Sequence, residues 1–194
     1  MQLTREEERA LNGKEGEAVA TAYRILLAIG ESTDAEKLVP VKWAHVSGVN
    51  YNTIGDSGVQ FLENISKDGK FVVKTTINPM GFDPLKINSL KVKAEFIAQQ
   101  NRIHNVYERM GATKSYTCIP YEVFDMPSEG TSVSFAESNA AVYANSVTHL
   151  RTNKESALSA LASALTGKAP YSELRVEEMR KPDKCIRIKS ELDN

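Results

Sequence analysis

Leu38-Val-Pro-Val-Lys-Trp-Ala-His-Val46, then Ser47-Gly-Val-Asn-Tyr-Asn-Thr-Ile-Gly-Asp-Ser-Gly58, the run 59–65 and Lys70-Phe-Val-Val-Lys-Thr-Thr76 together form the stretch that decides the fold. The outer pieces are short runs rich in β-branched residues, and the run 59–65 continues a helix begun in the glycine-rich piece. The order is therefore strand, loop, helix, strand. Pro40 has no amide hydrogen to give a ladder, so it belongs at a strand start or a sheet edge. Strands joined through helices of this length point to a layered α/β structure with a mainly parallel sheet.

The alternation continues on both sides. Thr4 and Glu7 have capping-box spacing, Gly13 ends a short acidic helix, and residues 15–29 carry an apolar stripe at helical spacing. Downstream, Asn78-Pro-Met-Gly-Phe-Asp83 reads as a turn. Residues 94–110 form the strongest helical pattern, with Phe96, Ile97, Gln100, Ile103, Val106, Tyr107 and Met110 near a period of 3.6 and Gly111 as its stop. Strands are expected at 115–119 and 131–135, helices from Glu137 and over 155–165, and a last strand at 184–190. The whole, residues 1–194, reads as one domain related in architecture to other layered α/β domains, its sheet flanked by helices.

Composition narrows the function. The chain has 24 basic and 25 acidic side chains spread evenly, which leaves no charged footprint for nucleic acid or an anionic membrane. Its two cysteines, Cys118 and Cys185, are too few for a disulfide framework, and the first residues carry no apolar signal, so a cytoplasmic protein is expected. No apolar stretch is long enough to span a bilayer.

In parallel α/β sheets, ligands sit where loops leave the carboxyl ends of strands. Four stretches qualify: 45–58, 75–83, 118–121 and Glu137 with the helix after it. Gly48, Gly55 and Gly58 suit either an anion cradle at a helix N-terminus or an ordinary turn, and they match no nucleotide-binding spacing. Cys118, before Pro120, suits a soft-metal thiolate or a small buried hydrophobe. His45 can serve as acid, base, ligand or merely a hydrogen-bonded ring. His104 reads as surface or packing, Cys185 as structural, and Glu137-Ser-Asn139 as helix capping. Asn145-Ser146 with Arg151-Thr-Asn153 adds a guanidinium fork and flanking amides, the donors that hold carboxylate or phosphate oxygens.

These runs resemble one family across the chain: Ser47-Gly-Val-Asn-Tyr-Asn-Thr-Ile-Gly-Asp-Ser-Gly58, Thr75-Thr-Ile-Asn-Pro79, Thr117-Cys-Ile-Pro-Tyr121, Glu137-Ser-Asn139, Tyr143-Ala-Asn-Ser-Val147 and Arg151-Thr-Asn-Lys-Glu155. The family is the aconitase X hydro-lyases, which dehydrate small hydroxy acids of the mevalonate 5-phosphate or cis-3-hydroxyproline type at an iron or iron-sulfur centre. The resemblance implies a fold related to aconitase α/β domains, with Cys118 as a ligand to an iron-sulfur cluster or mononuclear iron. It also implies that Ser47, Gly48, Tyr51, Thr53, Asn78, Asn145, Ser146 and Arg151 surround the substrate, with Ser47 and His45 as candidates for the catalytic groups. Further cluster ligands are expected outside this chain, which then reads as the N-terminal half of a catalytic unit. Its expected partners are a C-terminal half or complementary subunit and a small swivelling subunit. The chain departs from the family at His149 and Leu150, where small residues are usual, and at Ser172-Glu-Leu-Arg175, where a histidine is usual. The competing expectation is a degenerate domain of the same fold that binds a small acid or a protein without catalysis.

Overall fold

Trp43, Ala44, His45 and Val46 are all fully buried, the pattern of a strand covered on both faces. They form β2 (Trp43–Val46), the centre of a three-stranded parallel sheet ordered β3-β2-β4, with β3 at Lys74–Ile77 and β4 at Ser134–Phe135. The computed structural model describes residues 1–83, 85–87 and 91–189. A second, two-stranded antiparallel ladder joins β1 (Leu38–Pro40) to β5 (Lys168–Pro170).

The run 38–46, read as one strand, is thus divided between two sheets. Beyond Pro40, the Val41 amide bonds the Gly167 carbonyl and the Lys42 amide turns to Ser132. The strand expected at 70–76 starts only at Lys74. Phe71 and Val72 give their amides to the carbonyls of Met110 and Ala164, at the ends of helices where carbonyls lack intrahelical partners. The expected strand at 115–119 does not form. One bridge, Thr76 to Thr113, is made, then Tyr116 turns left-handed (φ 47°) and Pro120 opens a four-residue helix. The last expected strand is also absent over 184–189, where the chain is exposed and pairs with no neighbour among the described residues; Ser190 lies outside them.

The helices follow the sequence closely. They are α1 (Arg5–Leu11), α2 (Glu17–Ser32), α3 (Tyr51–Ile65), α4 (Ala94–Met110), α5 (Pro120–Val123), α6 (Ser138–Ser146) and α7 (Ala157–Thr166). Thr4 and Glu7 make the capping box of α1. Gly111 ends α4 at φ 104°, open to glycine without strain. The helix α3 is broken at Gly55 (φ 57°, ψ −168°), which makes the glycine-rich part a separate first turn.

One large apolar cluster joins α2, α3, α4 and α7 to Val46 and Ile77 of the sheet. A smaller one packs Trp43, Val133 and Phe135 against Ala140, Ala144 and Leu150. Trp43 and Val46, three residues apart on one strand, therefore serve opposite faces. Leu150 is wholly buried and fills core. None of the described helices is long and apolar enough to cross a membrane.

Candidate active site at the carboxyl ends of the parallel strands

Because β2, β3 and β4 run parallel, their carboxyl ends open on one side, and His45, Ser47, Asn78 and Glu137 arrive there together. The His45 ring is fully buried. Its Nδ1 lies 2.7 Å from Thr76 Oγ1, and that oxygen accepts from Trp43 Nε1 at 2.9 Å. Its Nε2 has no hydrogen-bond partner among the described residues and faces Glu137 Oε2, itself unpartnered, at 3.9 Å. Glu137 Oε1 accepts from Asn78 Nδ2 at 2.7 Å. Burial raises the Glu137 pKa, but the His45 ring and the Asn78 amide outweigh it and hold this carboxyl below its ordinary range. Ser47 donates to the Ala136 carbonyl at 2.9 Å, tying the ends of β2 and β4.

Glu137 occupies the N-cap position of α6 yet makes no side-chain cap. Its carboxylate turns inward to the strand ends, a role that helix-capping preference in the sequence does not reveal. The usable signal is its position directly after β4.

Cys118 lies on the loop following the Thr113 bridge, with its carbonyl held by Asn139 Nδ2 of α6 at 2.6 Å. Its thiol is free and exposed, which removes the buried-hydrophobe reading. Cys185, expected to be structural, is equally exposed on the irregular segment. Cys118 can offer one sulfur donor. Among the described residues no group of three or more His, Cys, Asp or Glu side chains could hold a metal ion, so these residues do not by themselves fit an iron or iron-sulfur centre.

The first amides of α3 are occupied. Tyr51 N donates to Gln100 Oε1, Asn52 N to Asn50 Oδ1 and Thr53 N to Asn50 O; Gly48 holds a left-handed turn at φ 72°. The geometry is that of a capped helix start. The Tyr51 hydroxyl donates to Asp56 at 2.8 Å, and Thr53 is exposed.

Gln100, fully buried on α4, links the site loops. Its Nε2 donates to Val49 O at 2.7 Å and to His104 Nε2 at 2.8 Å, while its Oε1 takes the Tyr51 amide at 2.8 Å. His104 is buried rather than superficial. Burial, then nearby Lys114, lowers its pKa against the opposing hydrogen bond to the Pro79 carbonyl. Gly81 closes the assembly from the other loop: a Cβ there would stand 2.9 Å from Gln100 Cδ.

Asn145 and Arg151 lie elsewhere. Arg151 bridges to Ser132, before β4 begins, and binds the Arg175 carbonyl and the Glu177 carboxylate. Asn145 bonds the Ala141 and Thr152 carbonyls and accepts from Arg180 at 2.7 Å. These contacts fasten the segment 173–180 to α6. Ser146 is exposed and lines, with Asn145, Lys154, Leu174 and Arg180, a groove of about 490 Å³.

Buried polar side chains converge at the carboxyl edge of a parallel α/β sheet, the place where folds of this class hold their ligands. The sequence model described as the aconitase X first domain matches residues 1–178, and the chain belongs to that family. It is 40% identical to the phosphomevalonate dehydratase large subunit of Aeropyrum pernix over 98% of this chain and 49% of that one. Identity to the cis-3-hydroxy-L-proline dehydratase of Hypocrea jecorina is 33%, over 97% of this chain and 31% of that one. The crystal structure of Thermococcus kodakaraensis aconitase X in its holo-form superposes with a TM-score of 0.83 at 38% identity, covering 93% of this chain and 45% of that one. The chain spans about half the length of the first curated relatives it matches.

Proposed function

We propose that this chain is the N-terminal half of a hydro-lyase that dehydrates a small hydroxy acid, mevalonate 5-phosphate before cis-3-hydroxyproline. The observation that carries the reading is the 40% identity to a phosphomevalonate dehydratase subunit along nearly the whole chain. The preference between substrates follows the higher identity to that relative than to the hydroxyproline enzyme. That relatives are named large subunits supports a small partner subunit, here the swivelling one, besides a C-terminal half. Two exposed, unpaired cysteines suit a reducing compartment, the cytoplasm.

In this reading, His45, Ser47, Asn78, Glu137 and Cys118 form the wall that faces substrate, whereas Asn145 and Arg151 hold the scaffold. Asn78 fixes the Glu137 carboxylate, whose pKa the His45 ring and this amide lower against its burial. Ser47 fixes the mouth between β2 and β4. An iron centre at this wall takes Cys118 as one donor and needs the others from outside the described residues.

The test is co-expression of the chain with the C-terminal half and small subunit encoded in the same host, followed by assays of dehydration of mevalonate 5-phosphate and of cis-3-hydroxyproline. Activity in the assembly and none in the chain alone is expected. An assembled complex that dehydrates neither substrate would refute the reading, and turnover by the isolated chain would refute the need for the other half.

A further inference from the structure

The segment Lys184-Cys-Ile-Arg-Ile-Lys189 has the composition of a strand but belongs to no sheet. Ile186 and Ile188 are β-branched and two residues apart, so in an extended chain they share one face, and Arg187 and Lys189 share the other. Both isoleucines stand in the open, 85% and 60% exposed. Among the described residues, no backbone hydrogen bond ties the segment to the rest of the chain.

The parallel sheet does not supply the missing neighbour, because both of its outer edges are taken. Beside β3, Thr113 and Tyr116 give their amides to the carbonyls of Thr75 and Ile77. Beside β4, the Arg151 carbonyl and the Thr152 hydroxyl accept from the amides of Val133 and Phe135. A second copy of the segment is a poor neighbour too. Its six residues hold three cations, Lys184, Arg187 and Lys189, and no acid, and like charges facing each other across a ladder oppose pairing. The first-domain sequence model ends at residue 178, before the segment. A curated relative nevertheless matches 99% of this chain, the segment included, within 48% of its own length. A strand that lies past the first domain and pairs with nothing in it has its neighbour in the remaining half.

We propose that residues 184–189 are a docking strand that adds to a sheet edge of the C-terminal half. Ile186 and Ile188 pack on the apolar face of that sheet, while Arg187 and Lys189 lie on the other face beside acidic side chains of the edge. In strand addition the main chain supplies affinity and the alternating side chains supply the choice of partner. The two isoleucines thereby gain the cover that the first domain does not give them. The inference rests on the reading of this chain as an N-terminal half, but not on which hydroxy acid the assembly dehydrates.

The experiment combines the full chain with the C-terminal half encoded in the same host and reads hydrogen exchange residue by residue, free and in the complex. In the free chain the amides of 184–189 should exchange as in an unstructured peptide. On assembly at least every other amide should slow by roughly a hundredfold or more, as in a strand bonded along one side. Replacing Ile186 and Ile188 together by threonine keeps strand propensity but removes apolar area, and should weaken the complex by roughly tenfold to a hundredfold. Arg187→Gln with Lys189→Gln should make the affinity less sensitive to salt. Because the segment is exposed and unpaired, these variants leave the fold of the domain intact. A complex in which 184–189 exchange as in the free chain overturns the docking strand and leaves the N-terminal-half reading standing. Failure of the two halves to associate overturns both. Protection that appears in the chain alone and rises with its concentration gives the strand to a second copy and overturns the proposal. Protection in a complex that dehydrates neither substrate upholds the docking strand and counts against the hydro-lyase reading only.

Discussion

Replacing Gln100 with methionine keeps the side chain's length and apolar stem but removes all three of its hydrogen bonds. Two of the abandoned partners are buried, since Val49 is 1% and His104 4% exposed. Each buried group left unpaired costs about 1–3 kcal/mol. The Tyr51 amide is nearer the surface and adds little, so the loss should total about 2–6 kcal/mol. In a domain of this size each kcal/mol lowers the melting temperature by about 2–4 °C, which places the variant roughly 4–24 °C below the parent. Urea titration gives the free energy, and hydrogen exchange at the Tyr51 amide reports whether the first turn of α3 has been released. A loss below about 1 kcal/mol, or an unchanged Tyr51 exchange rate, would refute the view that this amide holds the two site loops.

Three further outcomes follow from the packing of single side chains. His104 has a lowered pKa when folded, so the unfolded chain binds the extra proton first. Its contribution is complete above the unfolded value near 6.5 and is lost as pH falls toward the folded one; His104→Leu should flatten that part of the stability profile in pH-dependent urea titrations. Arg175 is fully buried, pairs with Glu155 at 2.8 Å and donates to Val133 O at 2.7 Å. Arg175→Met should therefore destabilise by about 3–5 kcal/mol, and adding Glu155→Leu should recover much of it, as read by calorimetry. Cys118→Ser should change stability by no more than about 0.5 kcal/mol, because the thiol is exposed, and a thiol reagent that titrates both cysteines of the native parent should then find only Cys185.

The helices were the most legible part of the fold, since periodicity and stop signals are local. The apolar spacing across α4 and the glycine after it delimit that helix as found, and the Thr4 capping box forms as spaced. The strands were less legible because a ladder depends on what lies alongside. Phe71 and Val72 look like strand residues but bond to helix ends, and residues 184–189 alternate without a neighbour to pair with.

For the candidate site, the positional rule marked the stretches that hold His45, Ser47, Asn78 and Glu137, because the ends of parallel strands can be read from the alternation; it marked Cys118 through a strand at 115–119 that does not form. The inward turn of the Glu137 carboxylate was obscured by its resemblance to a helix cap, since its contact with Asn78 spans 59 residues of sequence. Arg151 offers the right chemistry for an acid group, but its direction is set by the Ser132 bridge and Glu177, which spacing does not encode. A polar Gln100 within the apolar stripe of α4 was the clue in the sequence to a buried polar connection, though not to the loops it joins.

That connection bears on how sequence changes at this site would be read. Gln100 meets the loop after β2 through Val49 and Tyr51, and its neighbour His104 meets the loop after β3 through Pro79. The two loops therefore share one anchor, and freedom gained by either is passed to the other. Variation at position 100 or 81 would mimic a defect in ligand recognition while altering no group that touches the ligand. Natural substitutions at these two positions should occur together: a larger residue at 81 needs a shorter one at 100, and the shorter one must still reach both loops.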